Sequence, residues 1–364
     1  MKKVCFIVTD AVSFNVLYRG QFEFFKDSGA FSMTFIAGGS RDEISKFNDR
    51  DLGQLVDVGF VRNPSLFQDV LSLLLLLKFL IFNRFDLIVY STPKALLLGS
   101  LASFLSFHRK RIALIHGRVY ENYTGFKRKF FEFLDKVSLG LSCKALFVSE
   151  SLRQCYIDGR LVSLNKSMLL GLGSCNGVDT QVFKPVSAGR NVFTVLVVGR
   201  VCKDKGFYDL IELLKIIHPT GIEFKIVGAV EGEDIQAVLN EVLQAYPFVS
   251  HYASTDSVAQ FFQQADLHLF LTHREGFGNV AIEAASCGVP TFAYQVVGVK
   301  DSVAEGISGK HFSFGDIRSV ADAINASVVS PDFHLSYPRA RHWVVENFRQ
   351  EKVWVNYLEF YRSY

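Results

Sequence analysis

The sequence predicts an α/β protein with two parallel β-sheets, each covered by helices on both faces. Short apolar segments alternate with helical segments along the chain, which is the pattern of βαβ units. The alternation stops near Lys184-Pro185 and starts again at Phe193. The chain has 364 residues, more than the roughly 100–150 residues of one ordinary domain. Two doubly wound domains are therefore expected.

The first half contains predicted strands wherever a short apolar run occurs, namely at residues 3–9, 33–37, 86–90, 111–115 and 145–148. The helical segments between them are residues 20–28, 64–83, 94–107 and 126–141. Asn63-Pro64 is typical of a helix start, because proline is favoured at the first helical position. The greasy stretch 70–82 contains Ser72 and Lys78 and is too short to cross a bilayer. We expect it to be core, with apolar membrane contact as the less favoured alternative.

The second half repeats the pattern, with predicted strands at residues 193–198, 223–227, 248–252, 267–271 and 291–293. Its predicted helices are residues 207–217, 234–246, 257–264 and 280–286. Residues 339–364 form one amphipathic helical pattern that we expect to pack back on the first domain. The predicted domains are 1–186 with the helix 344–364, and 187–343, joined by a linker at 184–192. We expect ligands at the carboxyl ends of the strands, in a cleft between the domains.

Composition excludes several classes of protein. The chain is 49% hydrophobic and 21% charged, which excludes a disordered or fibrous protein. Its net charge of +3 is too balanced for a general nucleic-acid binder. The six cysteines form no CxxC pair, so the sequence does not favour zinc, and it fits a reducing cytoplasm. The apolar run near the amino terminus covers only residues 4–8, which indicates a strand and not a signal peptide.

The most informative segment is HREGFGNVAIEA, residues 273–284. Its two glycines allow the backbone to approach a ligand closely. The free N–H groups of the helix that begins near Asn279 suit a diphosphate. Glu275 and Glu283 are eight residues apart, too far for one acid–base pair, but they could hold hydroxyl groups on either side of a phosphate. Spacing alone equally allows a glycine turn and a helix with a solvated glutamate.

A second motif follows the first strand of the second domain. Gly199-Arg200 ends that strand, and Lys205-Gly206 comes shortly after it. Two cations at the carboxyl end of a strand could neutralise a diphosphate and stabilise it as it departs. A charged surface loop is the alternative, and the presence of the Glu275 segment favours the functional interpretation.

Taken together, GRVCKDKG and REGFGNVAIEAASCGVP resemble the retaining glycosyltransferases of family 4. The resemblance covers nearly the whole chain. STPKALLLGSLA, IHGR, VSESLR and GSCNGVD are similar to the subgroup that builds bacterial capsule, O-antigen (lipopolysaccharide) and exopolysaccharide repeat units. It implies the GT-B architecture, in which two Rossmann-like domains face a cleft and a C-terminal helix crosses back to the first domain.

The resemblance also implies roles for individual residues. Arg200 and Lys205, after Gly199, would hold the donor diphosphate. Glu283 would bind the ribose hydroxyls, and Glu275 hydroxyls of the donor sugar. His116 matches the histidine that closes the cleft from the first domain; without the resemblance, a structural histidine at a strand end is the better explanation. Backbone amides that would contact sugar and phosphate belong to Gly276, Phe277, Gly278, Asn279 and Val280.

One departure from the family pattern is visible. Many relatives carry a Gly-Gly loop after the first strand, whereas here the segment is Thr9-Asp10-Ala11-Val12-Ser13. Contacts from that loop to the acceptor are therefore in question. No DxD metal motif occurs in a suitable loop, so we expect no cofactor and metal-independent electrostatic catalysis. The family implies retention of configuration, and front-side attack assisted by the leaving phosphate is favoured.

The sequence thus predicts a hexosyl- or N-acetylhexosaminyltransferase. It would move a sugar from a nucleotide donor, expected to be a UDP-sugar, to a polyprenyl-diphosphate-linked glycan on the cytoplasmic face of the inner membrane. A non-hydrolysing sugar-nucleotide epimerase can share the architecture, but the two motifs argue against it. A non-catalytic binding subunit is the other alternative, which the intact motif residues disfavour without excluding.

A basic window supports membrane contact. Residues 108–144 contain nine Lys or Arg against three Asp or Glu. On the predicted helix 126–141, Phe126 and Phe130 fall on a stripe expected to be core, and Phe131 lies off it. Aromatic residues among cations are typical of helices on anionic lipid, although a solvated face is the alternative. The cations expected at the membrane are Arg109, Lys110, Arg111, Lys127, Arg128 and Lys129.

Overall fold

The computed structural model describes residues 1–186, 192–253, 255, 257–330 and 332–364. The predicted linker at 184–192 falls mostly outside these ranges, because residues 187–191 are not described. The predicted domain boundary after residue 186 lies at the edge of the same gap.

The chain divides into two compact units, residues 1–176 with 350–364, and residues 177–349. The sequence places the boundaries after residues 186 and 343. The structure groups residues 177–186 with the second unit, because Arg341 donates hydrogen bonds to the carbonyls of Thr180 and Phe183 at 3.1 and 3.0 Å. Phe183 also packs on Phe262, with ring centroids 6.0 Å apart.

Among the described residues, the first unit contains a seven-stranded sheet in the order β3-β2-β1-β4-β5-β6-β7. Its strands are β1 (Lys2–Asp10), β2 (Phe31–Gly38), β3 (Gln54–Val56), β4 (Leu87–Ser91), β5 (Arg111–Ile115), β6 (Lys144–Phe147) and β7 (Ser167–Leu169). Its helices are α1 (Ala11–Leu17), α2 (Gln21–Asp27), α3 (Arg41–Asn48), α4 (Leu66–Phe82), α5 (Pro93–Leu105), α6 (Gly125–Leu141) and α7 (Glu150–Asp158), together with a helix from the end of the chain.

The described part of the second unit contains a six-stranded sheet in the order β10-β9-β8-β11-β12-β13. Its strands are β8 (Phe193–Val198), β9 (Ile222–Val227), β10 (Val249–Tyr252), β11 (Leu267–Phe270), β12 (Thr291–Tyr294) and β13 (Gly309–Phe312). Its helices are α8 (Phe207–Leu214), α9 (Glu233–Ala245), α10 (Val258–Gln264), α11 (Asn279–Ser286), α12 (Val299–Ser302), α13 (Ile317–Val328) and α14 (Ala340–Phe348). The final helix, α15 (Gln350–Ser363), belongs to the first unit.

The predicted fold class is confirmed, since each strand pair recorded in both sheets is parallel. The segment after β1 is not a loop, however. Asp10 caps α1 by accepting a hydrogen bond from the Val12 amide at 3.0 Å. The chain therefore turns directly into a helix where many relatives carry two glycines.

The predicted helix 339–364 is two helices. Arg349 has an extended conformation, with φ −54° and ψ 129°, and separates α14 from α15. The Val178 amide donates a hydrogen bond to the Phe348 carbonyl at 2.8 Å, so that Val178 and Arg349 form an isolated parallel bridge. This pairing holds the chain extended at a point where the apolar pattern alone continues as helix.

One face of the first sheet is covered by aromatic side chains, which accounts for many of the 35 phenylalanines. Phe22 packs on Phe6 and Phe35, with ring centroids 4.8 and 4.9 Å apart. Helix α15 completes this core. Tyr361 packs against Phe6, and Trp354 donates its indole N–H to Asn176 at 2.7 Å.

The helices on the other face of the first sheet have solvent-exposed apolar side chains. Here α5 packs between α4 and α6. Helix α4 buries only Ser72, Leu76 and Leu80, so the expectation that this stretch is core is wrong for its outward face. The exposed large apolar residues of α4 are Leu66, Phe67, Val70, Leu71, Leu74, Leu75, Ile81 and Phe82.

Helix α6 is also turned differently from the prediction. Phe126 and Phe130, expected in the core, are 85% and 48% exposed. Phe131, expected off the core stripe, instead packs on the rings of Tyr120 and Tyr123. No helix in the described ranges is both long and apolar enough to cross a bilayer.

Candidate functional site

The second-unit site begins where β8 ends. Gly199 follows the strand, and its amide donates a hydrogen bond to the Val227 carbonyl at 3.0 Å. The next residue, Arg200, forms an exposed ion pair with Glu231 at 2.5 Å. Arg200, Lys205 and Gly206 then line one small hollow together with Gly199. Its volume of 20 Å³ holds about one water molecule, so a larger ligand would lie over the hollow.

Two glycines in these loops are required by close packing. Gly206 has φ +77°, and a Cβ atom there would lie 2.0 Å from the carbonyl oxygen of Leu271. Gly278 has φ +94°, and a Cβ atom would lie 2.9 Å from the Phe270 ring. Both positions are strained for any other residue. The loops after β8 and β11 therefore approach each other and their strands more closely than a side chain would allow.

The two sequence motifs are bonded to each other. Lys205 forms an ion pair with Glu275, and both side chains are largely buried. Arg274 donates two hydrogen bonds to Oδ2 of Asp204, at 2.9 and 2.6 Å. The His273 amide donates to the Asp204 carbonyl at 2.9 Å. The predicted cation motif and glutamate motif thus form one structure at the carboxyl ends of β8 and β11.

Glu283 lies on α11, the helix that follows this loop, in its second turn. Burial raises the pKa of its carboxyl to about 7. Within the described residues no hydrogen bond to this carboxylate is recorded, in contrast to the paired Glu275. A half-buried carboxylate with few protein partners is suited to accept hydrogen bonds from ligand hydroxyls.

The residues between the two glutamates differ in what they can offer. Phe277 is buried, and its ring packs on Phe348 with centroids 5.2 Å apart, so its side chain is structural. Gly276, Asn279 and Val280 are half-buried. The expected contact of the backbone amides of this segment with a sugar and a phosphate stays a prediction.

His116 belongs to the first unit and follows β5. Its Nε2 atom lies 3.0 Å from the Tyr18 hydroxyl, which lies 2.8 Å from the Ser91 hydroxyl. Burial lowers the pKa of His116 to about 4. The imidazole is therefore neutral near pH 7 and can both donate and accept a hydrogen bond. The expected role of His116 toward a donor sugar stays a prediction.

The predicted membrane cations form two groups. Lys127, Arg128 and Lys129 lie at the start of α6, whereas Arg109, Lys110 and Arg111 lie before or at the start of β5. Arg111 donates a hydrogen bond to the Leu141 carbonyl, at the end of α6, at 2.8 Å. Since a helix rises about 1.5 Å per residue, α6 separates the groups by about 20 Å. The basic window is not one patch.

Each group contains cations that already have a partner as well as exposed cations. Lys127 lies over the Tyr123 ring, 3.9 Å from its centroid, and Arg128 pairs with Glu132 at 2.8 Å. Lys110 binds the Tyr364 carbonyl, and Arg109 and Lys129 are exposed. Arg111 is half-buried, so it contributes less to a surface than the sequence suggests.

Sequence reasoning missed several residues of the site. Asp204 and Arg274 lie inside the two motifs, and opposite charges there were a usable signal for their pairing. Glu231 and Tyr18 are distant in sequence from their partners, and no local pattern marks them. Within the described ranges no three His, Cys, Asp or Glu side chains group to hold a metal ion; the expectation that none is needed stays a prediction.

Comparison with known proteins gives matches to both halves of the chain. Residues 180–339 match the family model described as glycosyl transferases group 1. The capsular polysaccharide biosynthesis glycosyltransferase CapM of Staphylococcus aureus is 28% identical, and the alignment covers 100% of this chain and 97% of CapM.

Solved structures share the fold along the chain. Anabaena HepE, solved in complex with UDP and glucose, has a TM-score of 0.79 at 17% identity, with both chains covered completely. WaaG, a glycosyltransferase involved in lipopolysaccharide biosynthesis, has a TM-score of 0.76 at 14% identity, covering 98% of this chain and 99% of WaaG. At these identities the likeness concerns the fold, and it confirms the predicted GT-B class.

The raised pKa of Glu283 gives a prediction for stability. Its folded pKa of about 7 exceeds the ordinary 4.5, so between these values the folded chain holds a proton that the unfolded chain has lost. The free energy of unfolding of the second unit should therefore fall as pH rises from 5 to 8. Glu283→Gln should reduce this fall.

The measurement is denaturant unfolding followed by Trp343 fluorescence in a Trp354→Phe background, because Trp343 is then the one tryptophan and belongs to the second unit. Glu241→Gln, at an exposed position of α9, is the matched control and should keep the parent pH dependence. Equal pH dependence for Glu283→Gln and the control would contradict the assignment.

Proposed function

We propose a specific reaction for this chain, which is a glycosyltransferase of the GT-B fold with a group 1 glycosyltransferase domain over residues 180–339. It transfers a sugar from a UDP-sugar to a lipid-linked, polyprenyl-diphosphate-bearing glycan, with retention of configuration. The product is a repeat unit of capsule or another cell-surface polysaccharide. The name of CapM supports the pathway, and the UDP and glucose bound to HepE support the donor class.

The observation that carries this proposal is the bonded pair of motifs at the carboxyl ends of β8 and β11. Lys205 and Glu275 hold each other there, and Arg200 stands at the same strand end. Cations, helix amides and carboxylates then lie within one unit. That set matches a ligand made of a diphosphate flanked by two polyhydroxyl groups.

The clamp on the diphosphate needs only small rearrangements. The ion pair between Arg200 and Glu231 is exposed, and such pairs contribute about 0–1 kcal/mol. Arg200 can therefore exchange Glu231 for a phosphate at low cost. Lys205 can keep Glu275 and still donate to a phosphate, because an ammonium group has three N–H donors. Together they would stabilise negative charge on the leaving diphosphate.

The carboxylates would hold the two hydroxyl-bearing parts of the donor. Glu283, which has no recorded hydrogen bond among the described residues, would accept hydrogen bonds from the ribose hydroxyls. Glu275, fixed by Lys205, would accept hydrogen bonds from hydroxyls of the donor sugar. Because the leaving phosphate would lie on the same face as the incoming acceptor hydroxyl, it would take the hydroxyl proton in a front-side attack. No metal ion is part of this proposal.

His116 would serve the transfer step from the first unit. Its neutral imidazole can donate one hydrogen bond, while Tyr18 fixes its other nitrogen. A neutral donor would stabilise a sugar hydroxyl without repelling a developing positive charge at the sugar. This role is a positioning role toward the donor sugar.

The outward face of the α4–α5–α6 layer would lie on the cytoplasmic surface of an anionic membrane. Exposed apolar residues cover α4, and Phe126 and Phe130 extend the surface to α6. Contiguous apolar surface of this kind marks an interaction site. The two basic groups lie near opposite ends of α6, so both could meet anionic lipid when the layer lies flat. Each cation there contributes about 1 kcal/mol.

The first test concerns the donor clamp. Lys205→Ala and Arg200→Ala should each weaken binding of UDP-sugar, because losing one charged hydrogen bond costs about 1.5–3 kcal/mol. Lys203→Ala, exposed in the same short turn, is the matched control and should bind normally. The measurement is calorimetric titration after a screen of UDP-, GDP- and dTDP-sugars for slow nucleotide release.

Unchanged donor affinity in both clamp variants would refute the clamp. Donor binding without turnover on any acceptor would instead support a non-catalytic binding subunit. Interconversion of the free nucleotide-sugar would support an epimerase.

The second test concerns His116. His116→Ala should keep UDP affinity, because nucleotide binding is assigned to the second unit, and should lose most of kcat. Tyr18→Phe should lower kcat less, since it removes only the hydroxyl that orients the ring. A wild-type kcat for His116→Ala would contradict this role and indicate that His116 is structural.

The third test concerns the membrane. Binding to vesicles should require anionic lipid, decrease with salt, and decrease when Lys127, Arg128 and Lys129 are changed to Gln. Phe67→Ser should weaken binding at all salt concentrations, because it removes exposed apolar area. Lys26→Gln with Lys46→Gln, on α2 and α3, is the control for lost charge. Co-sedimentation that responds equally to control and test variants would contradict the proposed face.

A further inference from the structure

The first unit contains a cavity of 860 Å³, and no residue of the candidate donor site lines it. This volume is within the range of about 300–1,000 Å³ that is usual for ligand sites. Its lining residues belong to the first unit alone. Thr9, Thr92 and Gly117 line it at the ends of β1, β4 and β5. Ligands of open parallel sheets bind at this edge.

The wall of the cavity is mainly hydrocarbon. Val70 and Leu73 from α4, Leu97 from α5 and Phe130 from α6 line it. Side chains of α4, α5 and α6 therefore border one apolar space. A hydrocarbon chain in this space would remove apolar surface from water, which favours binding.

The cavity is continuous with the exposed apolar face. Leu66, Val70 and Phe130 line it and are 85%, 49% and 48% exposed. The same side chains therefore belong to the outer surface and to the cavity wall. A lipid held at that surface could enter without leaving an apolar environment.

The inner end of the cavity is polar and strained. Thr92 has φ +69° and ψ 145°, a conformation that is strained for any residue other than glycine. The Thr9 amide donates a hydrogen bond to the Thr92 hydroxyl at 2.9 Å, and the hydroxyls of the two threonines lie 2.8 Å apart. These bonds hold Thr92 in this conformation. Strain that the surroundings enforce in this way clusters at ligand sites.

Cations stand beside this polar end. Arg62 and Lys94 line the cavity, and Arg62 is exposed. The cavity is also lined by the acidic residues Asp10, Asp69 and Asp135. Lys94 donates to Asp69 at 2.5 Å and to the Asn63 carbonyl at 2.8 Å, so one of its three N–H groups remains for a ligand. An anionic group at one end of an apolar chain fits this arrangement.

We propose that the cavity binds the polyisoprenoid chain of the acceptor, with its phosphate at Arg62 and Lys94. The identity of the chain rests on the proposed function. The preference of the cavity for an anionic isoprenoid is independent of sugar transfer and can be measured without it.

The experiment uses farnesyl diphosphate and inorganic diphosphate as probes in calorimetric titrations of the full chain. Farnesyl diphosphate should bind at least about tenfold more tightly than inorganic diphosphate, a difference of about 1.4 kcal/mol. Val70→Trp and Leu73→Trp, which fill the cavity, should remove that difference. Leu71→Trp and Leu74→Trp are matched controls, because these neighbours are exposed and do not line the cavity.

Far-UV circular dichroism and thermal unfolding of each variant show whether the first unit, which holds the cavity, remains folded. UDP titration reports on the second unit, where the nucleotide site is assigned. If the filled variants bind UDP and farnesyl diphosphate as the parent does, the cavity assignment is overturned. If lysophosphatidylglycerol binds as tightly as farnesyl diphosphate and responds to the same variants, the cavity takes membrane phospholipid and the assignment is likewise overturned. Isoprenoid selectivity without any donor turnover would support the cavity and contradict the proposed function.

Discussion

The bonds between the loop after β8 and the loop after β11 are the interaction on which the candidate site depends. Lys205 with Glu275, and Asp204 with Arg274, join two segments that are about 70 residues apart in sequence. The strands β8 and β11 are neighbours in one sheet, and these pairs join the loops that follow them. With them, a cation, a carboxylate and the start of α11 keep fixed relative positions before any ligand arrives. The conformational entropy of these groups is therefore lost during folding and not during binding.

The two ion pairs of this site, Lys205 with Glu275 and Arg200 with Glu231, differ in burial and therefore in role. The pair that includes Glu275 is largely buried, so it fixes geometry. The pair of Arg200 with Glu231 is exposed and weak, so it leaves Arg200 available. Among the described residues no ion pair of Glu283 is recorded, and burial raises the pKa of its carboxyl. Glu275 is thus held in place by its ion pair, whereas Arg200 can exchange a weak partner for a ligand.

The sequence predicted the repeated βαβ order and both motifs, because each depends on residues that are close together in the chain. It missed features that depend on distant partners. Arg349 is extended because it pairs with Val178. Phe126 is exposed while Phe131 packs on Tyr120, since the apolar stripe on α6 does not tell which side faces the sheet. The basic window of residues 108–144 is continuous in the sequence. In the structure its two groups of cations lie near opposite ends of α6, about 20 Å apart.

The position of α15 in the first unit has a consequence for how the protein is made. Trp354, Tyr357 and Tyr361 complete the aromatic core of a unit whose other residues end at Asn176. At a synthesis rate of about 5–20 residues per second, the ribosome needs roughly 10–40 s to make residues 177–364. During that time Phe24 and Phe25 on α2 lack their partners on α15. The aromatic surface of the nascent first unit therefore stays uncovered until α15 is synthesised. By then the second unit has had time to fold.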